Sequence, residues 1–242
     1  LAQCSPSDIT IAIDGFAGCG KSTLAKDLSV MLGYTFIDTG AMYRAVTWYV
    51  LHHDVDITQP IKWAQHLEAL PFRYECSNGS FKIFFNEKWL DVEIRSLEIA
   101  QHVSTIAAIP AIRTWLVRQQ QHLGQAGGVV LDGRDISTVV FPNAELKLFV
   151  TADIDIRTQR RMADLIQQGQ KPDMDLVRQN LLDRDKLDSS RTDSPLQPAP
   201  DSLWLDTSRI SRIDQLGIAL QAVRYKQNLK TRPGSPIFRG AN

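Results

Sequence analysis

Eight consecutive residues of this 242-residue chain have the types and spacing to bind phosphate. Gly15-Phe16-Ala17-Gly18-Cys19-Gly20-Lys21-Ser22 satisfies G-x-x-x-x-G-K-[ST] at every fixed position. The glycines let the backbone turn tightly and aim its N–H groups inward. Those groups, with the N-terminus of a following helix, attract phosphate oxygens. Lys21 adds a point charge at the β- and γ-phosphates, and the Ser22 hydroxyl can ligate Mg²⁺. The stretch from Gly15 to Thr23 is therefore expected to hold ATP with its Mg²⁺. A plain glycine-rich turn would leave Lys21 unexplained. A thiol such as Cys19 at a helix start can be acidified, but a small residue filling a loop position is the simpler reading.

Other candidates lie further along. Val129-Val130-Leu131-Asp132 is an aliphatic run ending in a carboxylate. Asp132 could reach Mg²⁺, directly or through water, or could be a capping or ion-paired residue, and the two readings stand level. Arg157, Arg160 and Arg161 share one helical face by their spacing. Arg184, Asp188 and Arg191 do so too if their helix runs that far. Arg44 and Arg134 add to the set. Arginine suits planar, bidentate phosphate recognition, and two anionic substrates can be brought together only if their charge is offset. A GTPase base-reading N-K-x-D is absent from the sequence.

The elements that must position these residues alternate. Ile9–Ile13 reads as a buried strand running into the loop, and Lys21–Leu32 as the helix after it, closed by Gly33. Further strands are expected at Thr35–Ile37, Val129–Leu131, Leu146–Val150 and Leu203–Leu205. Helices are expected at Ala41–His52, Ile61–Leu70, Ser96–Thr105, Pro110–His122, Asp155–Gln168, Asp175–Asp188 and Ile213–Asn228. Strands alternating with helices predict an α/β fold with a parallel sheet covered on both faces. Phe72–Cys76 and Phe81–Phe85 break the pattern. They flank Asn78-Gly79, a hairpin signal, and Trp89–Val92 could add a third strand. This antiparallel island reads as an insertion.

Composition narrows the class. Lys plus Arg number 27 and Asp plus Glu 27, so no global charge draws the chain to nucleic acid or an acidic membrane. The apolar runs are too short to span a bilayer, and Leu1-Ala2-Gln3-Cys4 lacks a basic, apolar signal region. Three scattered cysteines, Cys4, Cys19 and Cys76, make neither a disulfide framework nor a zinc pattern, which points to a reducing, cytoplasmic setting. The segment 231–242, with its prolines and glycines, is expected to be a flexible tail.

At these residues the sequence resembles the bacterial cytidylate kinases, over Ile9 to Asn228. Besides the phosphate loop, the markers are Asp38-Thr39-Gly40-Ala41-Met42-Tyr43-Arg44, Leu131-Asp132-Gly133-Arg134-Asp135 with Thr138-Val139-Val140-Phe141-Pro142, and Arg184-Asp185 with Asp188 and Arg191. The resemblance implies a single P-loop kinase domain over 1–230. Its core would be a five-stranded parallel sheet, with a monophosphate-binding insertion at about 60–108 and an arginine-bearing lid at about 155–172. It implies Thr39, Arg44 and Arg134 at the acceptor phosphate, and Ser104, Arg113 and Asp135 at the cytosine edge. Arg184, Asp188 and Arg191 would surround the sugar and phosphate. Catalysis would rest on Lys21, Arg134 and the lid arginines Arg157, Arg160 and Arg161. The implied substrates are ATP and CMP or dCMP, used by a monomer without nucleic acid or membrane. Leu187 departs from the pattern, standing where relatives often carry a charge. Rival readings are another small-acceptor kinase (UMP/CMP, adenylate or shikimate type), a nucleotide-dependent regulator or nucleic-acid ATPase, and a fold that binds nucleotide without catalysis.

Overall fold

The computed structural model describes residues 8–53, 55, 66–167 and 169–231. Its centre is a five-stranded parallel sheet in the order β2-β6-β1-β7-β8. The strands are β1 (Thr10–Gly15), β2 (Thr35–Asp38), β6 (Val129–Gly133), β7 (Leu146–Thr151) and β8 (Leu203–Asp206). The helices are α1 (Lys21–Leu32), α2 (Thr39–His52), α3 (Leu97–Ala107), α4 (Pro110–Gly124), α5 (Ile154–Gln167), α6 (Met174–Ser189) and α7 (Arg212–Lys230). Of the helix expected over 61–70, residues 61–65 lie outside the described residues and 66–68 are helical. The expected tail at 232–242 also lies outside them.

Both faces of the sheet are apolar, as the near-continuous hydrophobic strands require. Ile9, Ile11 and Ile13 pack with Leu24, Leu28 and Val223 on the side of α1 and α7. Ala12, Ile37, Val129 and Leu131 pack with Met42, Val46, Ile112 and Leu116 on the side of α2 and α4. Successive side chains of a strand point to opposite faces. Asp14 therefore shares the face of Ala12, and Asp132 shares the face of Val130. Two carboxylates at neighbouring strand ends are thus sent to opposite sides of the sheet.

The island is a three-stranded antiparallel sheet of β3 (Phe72–Ser77), β4 (Ser80–Phe85) and β5 (Lys88–Leu90). The third strand starts one residue before the expected Trp89 and stops at Leu90. The hairpin tip rests on α1, where Gly79 N donates to Ser29 Oγ at 2.8 Å. Its other end is held by rings, with Trp48 and Tyr49 of α2 lying 5.6 and 5.3 Å from Phe85.

The sequence pattern does not reveal the wide π-helical turn at Ile136–Val140. Its Phe141 N donates to Ile136 O at 2.7 Å, five residues back. α6 ends at Ser189, so Arg191 lies beyond the helix that was to carry it.

Where the loop leaves β1, the backbone of Gly15 lies against β7. Its φ is +143°, and a Cβ placed there would sit 1.9 Å from Val150 O. Gly15→Ala is accordingly expected to destabilise the fold by about 3 kcal/mol. Denaturant unfolding checks this, and a loss under about 1 kcal/mol would mean that the strands can part at this point.

Candidate active site

The C-terminal ends of β1, β2 and β6 meet at one cavity of about 430 Å³. Crevices at strand ends, where the chain reverses direction across the sheet, are the usual ligand sites of such folds. Eight cationic side chains line it (Lys21, Arg44, Arg113, Arg134, Arg160, Arg161, Arg184 and Arg191) against five carboxylates (Asp38, Asp132, Asp135, Asp164 and Asp188). An excess of three positive charges is thus gathered in a chain whose formal net charge is zero.

The loop forms one wall. Gly18 and Gly20 hold φ of +75° and +92°, which opens the turn ahead of α1. Lys21 is buried, and its Nζ donates to Phe16 O at 2.5 Å, within its own loop. Burial lowers the Lys21 pKa, and the Arg134 charge adds to that. Cys19 is fully buried among apolar side chains, in keeping with a space-filling role. On the next strand end, Asp132 accepts a 2.5 Å hydrogen bond from Ser22 Oγ through Oδ2, while its buried Oδ1 has no partner. Burial pushes the Asp132 pKa up to about 7, and the charge of Asp38 acts in the same direction. Ser22 and Asp132 offer only hard oxygen donors, which suits Mg²⁺ completed by phosphate oxygens.

The opposite wall is a set of arginines, several braced by carboxylates. Asp38 caps α2 through Ala41 N at 2.7 Å and accepts from Arg44 at 3.1 Å. Burial alone would raise its pKa, but Arg44 and that N–H bond hold it below the usual carboxylate range. Asp188 is a hub that accepts from Arg134 Nε at 2.8 Å, from Ser104 Oγ at 3.3 Å and from Arg191. Despite its burial, Arg134, Arg191 and Arg184 hold the Asp188 pKa low. Arg184 Nε is buried without a partner, and burial, with Arg134 close by, pulls its pKa down to about 10. Deeper in, Arg113 and Asp135 form a buried ion pair. Burial pushes the Asp135 pKa up to about 6, and Arg113 keeps it from rising further. Thr39 lines the cavity but donates its hydroxyl to Asp132 O at 2.7 Å, tying the ends of β2 and β6 together.

The three arginines of α5 divide. Arg161 lines the cavity, and its pKa is lowered by burial and raised by Asp164. Arg160 also lines it, while donating to Thr207 O at 2.7 Å and Thr207 Oγ1 at 3.0 Å. Arg157 is among the residues the sequence singles out but does not line the cavity. Its donors go to Ala152 O, Ala17 O and Asp185, at 3.0, 3.3 and 2.5 Å. It thereby clamps α5 to the phosphate loop and to α6. Leu187 is half exposed and away from the cavity wall.

Sequence reasoning assigned no role to several residues that matter here. Tyr43 lines the cavity with its buried hydroxyl unpartnered, and burial raises its pKa. Its position four residues after Thr39, on the same face of α2, was the available signal. Val103, Ala107 and Leu181 supply an apolar wall. Thr207, remote in sequence, holds both Arg160 and Cys19 O, the latter at 2.9 Å. No local pattern marks it.

The raised Asp132 pKa makes stability depend on pH. A carboxyl whose folded pKa exceeds its unfolded value of about 3.9 binds more protons when folded. Its ionisation then costs stability increasingly from about pH 4 to about pH 7, and fully above. Asp132→Asn keeps an acceptor for Ser22 and removes the charge. Without divalent cations it is expected to raise the melting temperature near pH 8 and to lose that gain near pH 4. Melting curves across pH test this, and an equal shift at both ends would refute it.

A protein-family model described as cytidylate kinase matches residues 11–225. A cytidylate kinase of Phocaeicola vulgatus is 46% identical over 213 residues, covering 86% of this chain and 93% of that protein. One of Flavobacterium psychrophilum is 44% identical over 220 residues, with 89% and 97% covered. Among solved structures, an uncharacterized protein from Eubacterium ventriosum covers 90% of this chain and 99% of its own, at 12% identity and a TM-score of 0.50, a likeness of fold alone. With the phosphate loop, the five-stranded parallel sheet and the arginine-lined cavity in place, the chain belongs to the cytidylate kinase family.

Proposed function

We propose that this chain transfers the γ-phosphoryl group of ATP to CMP or dCMP, giving ADP and CDP or dCDP. The observation that carries this reading is the single cavity with a phosphate loop on one wall and the buried Arg113–Asp135 pair on the other. The first wall suits a triphosphate, and the second suits a base with both donor and acceptor edges.

In this reading the loop N–H groups of Gly15 to Thr23 cradle ATP, and the Lys21 ammonium leaves Phe16 O for phosphate oxygens. Ser22, with Asp132 beside it, would hold Mg²⁺, which would supply neutralisation of the phosphate charge. The acceptor is a phosphate monoester, already anionic at neutral pH, so no strong general base is needed. Catalysis is positioning plus stabilisation of negative charge. Arg44, Arg134 and Arg184 hold the acceptor phosphate, and Arg160 and Arg161 face the transferring group. Arg157 acts by holding the lid helix on the loop. Asp188 and Arg191 take the sugar side. Closure of the lid that carries Arg160 and Arg161 would exclude water.

Asp135 can accept from the exocyclic amine of cytosine, with Ser104 and Arg113 completing the set. Uracil presents a carbonyl there and would leave the buried carboxylate facing an acceptor, a mismatch that discriminates strongly. The enzyme then works in the cytoplasm as a monomer on two small nucleotides, without nucleic acid or a membrane. Among the described residues no helix is long and apolar enough to cross a membrane.

A coupled ADP-release assay with Mg-ATP and CMP, dCMP, UMP, AMP or shikimate, plus a no-acceptor control, tests the proposal. CMP and dCMP are expected to dominate. Preference for another acceptor overturns the base assignment, and hydrolysis without acceptor overturns the kinase reading. Asp135→Ala should lower the CMP-to-UMP ratio of kcat/KM by at least about tenfold. Lys21→Met should cost about 3 kcal/mol in the transition state, on the order of a hundredfold in kcat. Near-normal turnover in Lys21→Met would exclude the lysine from the chemistry.

A further inference from the structure

Asp14 is a fully buried carboxylate to which the proposed reaction gives no part. It is the last side chain of β1 before the phosphate loop, and it faces away from α1. Its two oxygens are engaged by one short segment. Oδ1 accepts from Ile136 N at 2.8 Å, and Oδ2 accepts from Ser137 N at 2.8 Å and Ser137 Oγ at 2.5 Å. Those N–H groups open the π-helical turn, where the first donors have no partner within the turn. The neighbouring Asp135 has no side-chain bond to that turn, because its carboxylate is turned to Arg113. Asp14 therefore caps the turn from another strand, in place of the residue that would ordinarily do so.

At its far end the capped segment accepts from Gln121 Nε2 at Val140 O, 3.0 Å away, and Ile136 and Val140 pack into the core. Gly133 leaves no room for a Cβ, with Ile136 Cδ1 and Thr39 Oγ1 each 2.6 Å from where one would lie. Arg134 and Asp135 sit between these contacts and the Asp14 cap. The bonds to Asp14 thus tie the strand that delivers the ATP loop to the segment that presents Arg134 and Asp135. A carboxylate is the fitting group, since it accepts on both oxygens and every partner is a donor.

We propose that Asp14, with Ser137, is a positioning device for acceptor selection: it fixes Asp135 and Arg134 relative to the phosphate loop without touching either nucleotide. The inference rests on the proposed CMP kinase reading. Asp14→Asn would turn an amide N–H₂ toward backbone donors and loosen the turn. Ser137→Ala removes one of the three bonds and leaves the buried charge in place, so it separates geometry from charge.

The test is steady-state kinetics of the full chain with CMP and UMP as acceptors and ATP varied separately. The ratio of kcat/KM for CMP over UMP is expected to fall about tenfold in Asp14→Asn and about threefold in Ser137→Ala. KM for ATP in Ser137→Ala should stay within about twofold of the parent. A merely structural role would lower stability or kcat equally for both acceptors, so an unchanged ratio in Ser137→Ala overturns the inference. Should Asp14→Asn fail to fold, Ser137→Ala decides alone. A parent protein that does not prefer CMP refutes the proposed function instead, and that result is read before either variant.

Discussion

The structure depends on keeping like charges close together before any ligand arrives. Eight cations around one small cavity repel one another, and burial removes the water that would screen them. The fold answers with carboxylates set behind the guanidinium groups. Asp38 backs Arg44, Asp135 backs Arg113, and Asp188 backs both Arg134 and Arg191. Each pair fixes one edge of its arginine and leaves other donors to face the cavity. Pairs buried in this way contribute little net stability, because desolvation offsets most of the attraction. Their value is that the arginines stand in place, so a nucleotide need not order them.

The groups that are not fully compensated are informative. Tyr43 Oη, Arg44 Nε, Arg113 Nε, Asp132 Oδ1, Arg184 Nε and Arg191 Nε are all buried and unpartnered, and all belong to residues lining the cavity. Buried polar atoms in folded proteins are nearly always satisfied. Their concentration around one cavity marks a surface shaped for a polar ligand rather than for the empty fold. The directions of the pKa shifts agree: Asp132 is raised and Arg184 lowered, each disfavouring its charged form until an opposite charge comes near.

Strand geometry distributes these roles. Because alternate residues face opposite sides, β1 sends Asp14 toward the turn that bears Asp135, and β6 sends Asp132 toward Ser22 on α1. The two sides of the cavity, one bearing Ser22 and Asp132 and the other Asp135, are thus built from adjacent ends of two paired strands. α5 joins them from above. Arg157 fastens it to Ala17 of the loop and to Asp185 of α6, and Arg160 fastens it to Cys19 and Thr207.

The amino-acid sequence by itself determined the phosphate loop, the alternation of strand and helix, the antiparallel island at Asn78-Gly79 and most of the polar residues that line the cavity. These are local signals: a fixed glycine spacing, a period of two or of three to four, and a turn dipeptide. The quoted motifs were sufficient to indicate the family. Only the tertiary structure decided how those residues divide the work. Arg157, Arg160 and Arg161 look equivalent by spacing, yet burial at the first turn of α5 makes Arg157 a clamp and leaves Arg161 at the cavity. Thr39 reads as a phosphate contact, but the close approach of β2 to β6 directs its hydroxyl to Asp132 O. Asp14, Thr207 and the π-turn bear no local mark, because Asp14 and the turn meet across 123 residues of chain and Thr207 meets its partners across 47 to 188. Which donor meets which acceptor across that distance is set by strand order and register, and these exist only once the sheet has formed.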